Sequence, residues 1–250
     1  MKLFDLTGKT ALVTGAAGGL GQGIAVGLAE AGADVVCASL GSSAETVGKI
    51  EALGRKASEI IVDLSDHGKL QETFDEALKL TGHIDILVNN AGIIRRTPAK
   101  DHSEKDWLDV ININLNTVFL LSQIAGRHMI ERGSGKMINI CSMLSYQGGI
   151  NVPGYTASKH GVAGLTKAFA NEWASYGLQV NAIAPGYMAT DNTAPIRADE
   201  NRKTSITDRI PAGRWGTPED VKGPAVFLAS AASDYLNGHI LCVDGGWMAR

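Results

Sequence analysis

The chain has 250 residues, with 23 Lys+Arg against 26 Asp+Glu, a formal charge of −3 at pH 7. So small a charge supplies no basic field for a nucleic-acid backbone or an anionic membrane surface, which excludes both as expected partners of the chain as a whole. With 44% hydrophobic and 20% charged residues the composition is globular rather than disordered, and a chain of this length buries enough surface to fold without disulfides or a metal.

Short β-type runs alternate with longer helical patterns from end to end. The expected strands cover 10–14, 34–39, 57–62, 85–89, 136–141, 179–184 and 239–243, mostly as the continuous apolar runs of strands covered on both faces. Helical patterns fill the gaps at 20–31, 43–53, 66–81, 104–131, 154–176 and 217–230. Asp66, Ser103 followed by Asp106, and Thr217-Pro218-Glu219-Asp220 mark helix starts. Such alternation predicts an α/β fold, a doubly wound parallel sheet in a single domain over 1–250. The segment 187–212 breaks the pattern and is expected to be a mobile lid or substrate loop. The three cysteines, Cys37, Cys141 and Cys242, lie in apolar stretches and are expected to be buried, reduced thiols. The first ten residues carry an acid and polar residues where a signal peptide has its apolar core, and no apolar run nears 18 residues, so a soluble, cytoplasmic protein is expected.

Glycine is the compositional outlier, with 30 in the chain against an average near ~7%. Gly15, Gly19 and Gly21 form a G-x-x-x-G-x-G turn between the first strand and first helix. Such a turn lets backbone approach a pyrophosphate while a helix N-terminus offers N–H groups and a positive dipole end. Tyr155 and Lys159 stand four residues apart on an expected helix and so share one face. A free phenol titrates near pH ~10, too high for easy acid–base work at neutrality, and a neighbouring cation lowers that value. Ser142 lies at the end of the fifth strand, at the carboxyl edge of the sheet. The six histidines show no ligand spacing, so no catalytic metal is expected.

Thr14-Gly15 through Gly21, Asn89-Asn90-Ala91-Gly92, Tyr155-x-x-x-Lys159 and Pro185-Gly186 stand in the order found in the short-chain dehydrogenase/reductase family, which the whole chain resembles. The resemblance implies a Rossmann-type sheet of about seven strands, a nicotinamide cofactor and assembly into dimers or tetramers, of which a homotetramer is expected. It also implies a catalytic tetrad. Tyr155 is the proton donor or acceptor, Ser142 polarises the carbonyl, Lys159 tunes Tyr155 and holds the nicotinamide ribose, and Asn114 supports a water-linked relay; the family pattern selects Asn114 from Asn112, Asn114 and Asn116. The implied cofactor contacts are Gly15, Gly19, Leu20, Gly21, Ser39, Asp63, Leu64, Asn90, Ala91, Gly92, Tyr155, Lys159, Pro185, Gly186, Met188 and Thr190. A non-catalytic NAD-sensing regulator on the same fold would need the glycine turn but not the tetrad.

No Lys or Arg stands between Lys9 and Lys49, which favours NAD over NADP because a 2′-phosphate needs a cation. The usual Asp at the end of the second strand is Ser39 here. The stretches 93–96, 141–149, 184–190, 210–216 and 243–250 resemble the bacterial members that interconvert a keto group and a secondary alcohol on an open-chain sugar acid in pectin and uronate breakdown, with gluconate dehydrogenation at C5 as the alternative. Ser142, Met143, Gln147, Tyr155 and Tyr187 are the implied substrate residues. A sugar acid brings a carboxylate, which calls for an Arg: Arg95, Arg96 or Arg250, with the first two favoured by their place at the sheet edge.

Overall fold

The computed structural model describes residues 2–250. Seven parallel strands form one sheet in the order β3-β2-β1-β4-β5-β6-β7, with β1 Thr10–Thr14, β2 Asp34–Ser39, β3 Ala57–Ile61, β4 Ile86–Asn89, β5 Gly135–Ile140, β6 Leu178–Pro185 and β7 Ile240–Val243. Inner strands are buried on both faces, as their apolar runs demand; all five residues of β1 are buried. The outer strands β3 and β7 depart from that expectation, because each has one neighbour and leaves residues such as Ile61 and Cys242 exposed. Cys242 therefore corrects the expectation of three buried thiols, whereas Cys37 and Cys141 are buried.

Helices cover both faces. On one, α1 (Gly19–Glu30) and α9 (Glu219–Ala229) pack Ile24, Leu28, Val221 and Leu228 against Val13, Val35 and Val88. On the other, α3 (Leu70–Thr81), α5 (Thr117–Arg132) and α6 (Pro153–Trp173) bury Phe74, Leu121, Met129 and Phe169 against Leu12, Leu87 and Val180. The short α2 (Ala44–Glu51) leads into β3. Because β1 pairs with β2 on one side and β4 on the other, the loops leaving their carboxyl ends diverge. A crevice opens there, at the topological switch point.

The helix expected over 104–131 is interrupted. Helix α4 (Glu104–Ile111), capped by the Ser103 hydroxyl, runs into a π-helical turn at Asn112–Asn116 before α5 begins. A tertiary contact holds the extra residue: the Thr117 hydroxyl donates to the Leu64 carbonyl at 2.8 Å. By composition Glu104–Arg132 is long and apolar enough to cross a membrane, contrary to expectation, but Leu121, Ala125 and Met129 are fully buried against the sheet.

The expected loop at 187–212 is mostly helical. It holds a 3-10 turn at Asp191–Thr193 and the helices α7 (Ala194–Arg197) and α8 (Glu200–Arg209). Helix α8 escaped notice because it is polar nearly all round, with Ile206 its one buried residue. Its start is fixed by the Asp199 carboxylate, which accepts from the Arg202 N–H at 3.1 Å. Ile196, Ile206 and Ile210 seat this segment on Met143 and Trp247 in a small satellite core. At α9 the expected cap works in reverse: Asp220 reaches back to accept from the Thr217 N–H at 2.7 Å.

Candidate active site

Two adjoining cavities lie along the crevice. The larger, about 430 Å³, is lined by Ser39, Leu40, Asp63, Leu64 and Arg95; the second, about 280 Å³, by Gly19, Leu20, Gly21, Asn90, Tyr155, Lys159 and Thr190. Gly15, Ala91, Gly92 and Ile93 line both. They form one cleft long enough for an extended ligand.

The glycine turn fits a dinucleotide. Gly15 and Gly19 have φ of +66° and +56°, and a Cβ on Gly15 would lie 2.9 Å from the Asn90 amide nitrogen. Gly18 precedes α1 without a side-chain cap, which leaves the first N–H groups of the helix to face an anion. Asn90 and Thr14 brace the turn: the Asn90 amide donates to the Thr14 carbonyl at 2.9 Å, and the Thr14 hydroxyl accepts from the N–H groups of Asn90 and Ala91. Ser39 accepts from the Ala17 N–H at 3.2 Å. Asp63 is exposed in the larger cavity, its carboxyl held below the usual range by hydrogen bonds from Ser65.

At the other end Tyr155 and Lys159 sit one turn apart on α6. Burial pushes the Tyr155 phenol above its ordinary value, opposed by a hydrogen bond with Ser142 and by the charge of Arg96. Burial pushes the Lys159 ammonium down to about 8. Its Nζ donates to the Ile140 carbonyl at 2.5 Å and lies 5.5 Å from the centre of the Tyr155 ring. Burial opposes the charged form of both groups, against the lowering of the phenol that the neighbouring lysine is expected to supply. The Ser142 hydroxyl accepts from the Leu144 N–H at 3.1 Å, which keeps its own proton free to donate. Asn114, in the π-helical turn, is fully buried and bonded to Ile93.

Of the three arginines only Arg96 faces this end. It donates to the carbonyl of Asn192, which lines the catalytic end together with Tyr155 and Lys159, at 2.9 Å. Arg95 is turned away to Asp106 and Asp109, at 3.4 and 3.7 Å, and Arg250 donates to the carbonyls of Asp208 and Arg209 at the end of α8. Met143 is buried in the satellite core, and Tyr187 stands edge-on between Trp215 and Trp247. Gln147 is half-buried and bonds through its backbone to Met143. Pro185 ends β6, while Gly186 and Met188 line a separate cavity with Gly216 and Asp244, and the Met188 side chain is buried.

Sequence reasoning missed Ile93, Ile140, Asp191 and Asn192, which line the catalytic end, and Arg202 of α8, whose charge bears on Arg96. Ile93, Asp191 and Asn192 follow strands in connecting segments, Ile140 ends β5 and Arg202 sits on the polar α8, and none carries a sequence signal of its own. Among the described residues no group of three His, Cys, Asp or Glu side chains could hold a metal ion.

Residues 15–248 match the family model described as enoyl-(acyl carrier protein) reductase. The chain is 57% identical to 2-dehydro-3-deoxy-D-gluconate 5-dehydrogenase of Escherichia coli K12, over 100% of this chain and 99% of that one. It is 59% identical to the Bacillus subtilis enzyme of the same name, over 99% and 97%. Among solved structures it superposes with a TM-score of 0.96 on a gluconate 5-dehydrogenase from Burkholderia cenocepacia in complex with NADP and tartrate, at 41% identity over 100% and 98% of the two chains. The glycine turn, the Asn90 brace and the Tyr155–Lys159 helix thus stand in a fold and a sequence shared end to end with these oxidoreductases, and the chain belongs to the short-chain dehydrogenase/reductase family.

Proposed function

We propose that this protein interconverts the C5 keto group and the corresponding secondary alcohol of 2-dehydro-3-deoxy-D-gluconate with NAD(H) as cofactor. The observation that carries the reading is the hydrogen bond from Arg96 to the Asn192 carbonyl at 2.9 Å, which holds a carboxylate-binding cation at the rim of the cavity that Tyr155 and Lys159 line. A nicotinamide dinucleotide held by Gly15, Gly19 and Gly21 of the glycine turn would supply or take the hydride. In reduction Tyr155 gives its phenolic proton to the carbonyl oxygen and in oxidation takes it back, while Ser142 donates a hydrogen bond to the same oxygen. Lys159, cationic below about pH 8, steadies the phenolate that Tyr155 becomes. Asn114 holds the loop against which the cofactor would lie.

The names of the Escherichia coli and Bacillus subtilis relatives support the substrate. Gluconate is the second reading, favoured by the tartrate-bound gluconate 5-dehydrogenase, because tartrate is itself a hydroxy acid. The cofactor preference rests on the cation-free stretch from 10 to 48, against an NADP-bound relative. Assembly as a cytoplasmic homotetramer completes the proposal; exposed Trp107, Leu108 and Phe119 on α4 and α5 support a subunit contact there. The deciding experiment is NADH oxidation against a panel of keto-uronates and 5-ketogluconate, with NADPH in parallel. Turnover of none of these acids with either nucleotide overturns the proposal.

A further inference from the structure

The turn between β2 and α2 borders the adenosine end of the proposed cofactor cleft. Ser39 and Leu40 line the larger cavity, and the chain continues through Gly41, Ser42 and Ser43 into α2. Glu59, on the edge strand β3, lays its carboxylate against this turn. It accepts from the Ser42 hydroxyl at 3.0 Å and from the Ser43 backbone N–H at 2.5 Å. The Ser43 hydroxyl donates to the Ser39 hydroxyl at 3.2 Å, and Ser39 accepts from the Ala17 N–H in the glycine turn. A hydrogen-bonded chain therefore runs from Glu59 through Ser43 and Ser39 to the glycine turn.

A hydroxyl and an N–H at the start of a helix are donors of the kind that a phosphate group uses. Here an internal carboxylate already fills them. The nearby cations are also engaged: Lys49 pairs with Glu45 at 2.7 Å, and Arg95 with Asp106 and Asp109. A nucleotide with a 2′-phosphate would meet occupied donors and a like charge, whereas one with a free 2′-hydroxyl would meet no such opposition.

We propose that Glu59 is a specificity-determining residue that selects against a 2′-phosphorylated dinucleotide, supplying from β3 the negative charge that Ser39 does not supply from β2. The inference rests on the proposed function, in that it assumes a nicotinamide dinucleotide in this cleft. Glu59→Gln removes the charge and keeps an acceptor for Ser42 and Ser43; Glu59→Ala also frees the donors.

The test is the ratio of NADPH to NADH in Kd, by titration of cofactor fluorescence, and in kcat/KM. Wild type should favour NADH. Glu59→Gln should shift the ratio toward NADPH by about tenfold, the size expected for like charges across a few ångströms of partly exposed surface. Glu59→Ala should shift it further, with NADH affinity nearly constant in both. An unchanged ratio in both variants overturns the inference, as does a wild type that prefers NADPH. Equal weakening of both nucleotides in Glu59→Ala, with Glu59→Gln like wild type, would reduce Glu59 to a cap of α2 and also overturn it. A wild type that binds neither nucleotide overturns the functional reading itself and this inference with it.

Discussion

The Asn114 side chain bonds to both backbone polar groups of Ile93: its Oδ1 accepts from the Ile93 N–H at 2.8 Å and its Nδ2 donates to the Ile93 carbonyl at 2.9 Å. One amide thereby copies the pairing of a β-strand, and it pins the loop after β4 that lines both halves of the cleft. Asn114→Ala leaves both groups without that partner, at a cost of about 1–3 kcal/mol for each group that stays buried and unsatisfied. Denaturant unfolding should show this loss, and cofactor affinity should fall as well because the loop is released. Full stability and full affinity in the variant would show that Ile93 needs no such clamp.

Tyr155→Phe removes the transferable proton and little else. Turnover should fall by about 10²–10⁴-fold, the range for a lost acid–base group, with NADH affinity nearly unchanged. A variant that keeps more than about a tenth of the wild-type rate is incompatible with the role given to the phenol.

The pH dependence follows from the two shifted groups on α6. With its pKa raised by burial, Tyr155 stays protonated across the neutral range and is ready to donate. Lys159, lowered to about 8, is the group that titrates near neutrality. Carbonyl reduction, read as kcat/KM, should therefore hold a plateau below pH 8 and fall above it, as the cation that steadies the developing phenolate is lost. Lys159→Met should be slower throughout and lack that inflection. Linkage gives the stability effect its sign: between about 8 and the ordinary lysine value of 10.5 the unfolded chain holds a proton that the folded one has released. This group's contribution to stability thus rises with pH through that window.

Local spacing made much of this site legible. The glycine turn and the Tyr155–Lys159 pair are each written within a single element, and alternating apolar runs gave all seven strands to within a residue or two at their ends. Asn114 was singled out from its neighbours Asn112 and Asn116 only through family resemblance, because its special position is made by a π-helical turn that tertiary contacts hold open. Helix α8 was hidden for a different reason: its polar surface carries no apolar stripe, and its helical state depends on a cap and one buried isoleucine. Glu59 gave no sign because its partners, Ser42 and Ser43, lie on the neighbouring strand's loop. Cross-strand chemistry of that kind has no short-range signature.

Arg95 and Arg96 are consecutive, and the choice between them is likewise made by tertiary structure. Asp106 and Asp109 of α4 draw Arg95 aside, while Arg96 crosses to the Asp191–Thr193 turn, whose Asp191 and Asn192 line the cavity of Tyr155. Its bond to the Asn192 carbonyl uses one edge of the guanidinium and leaves further N–H donors for a carboxylate. Arg96→Ala should therefore raise KM for the sugar acid by about tenfold or more, as expected for a lost charge-assisted pair, and change KM for a neutral polyol analogue far less. Arg96→Lys should recover part of the loss, since charge returns without the bidentate fork. Arg95→Ala and Arg250→Ala should leave KM for the acid within about twofold, because each guanidinium is committed elsewhere. Steady-state kinetics on the four variants, with acid and neutral substrates side by side, decide the matter: a wild-type KM for the acid in Arg96→Ala, or an equal rise for both substrates, removes Arg96 as the carboxylate partner.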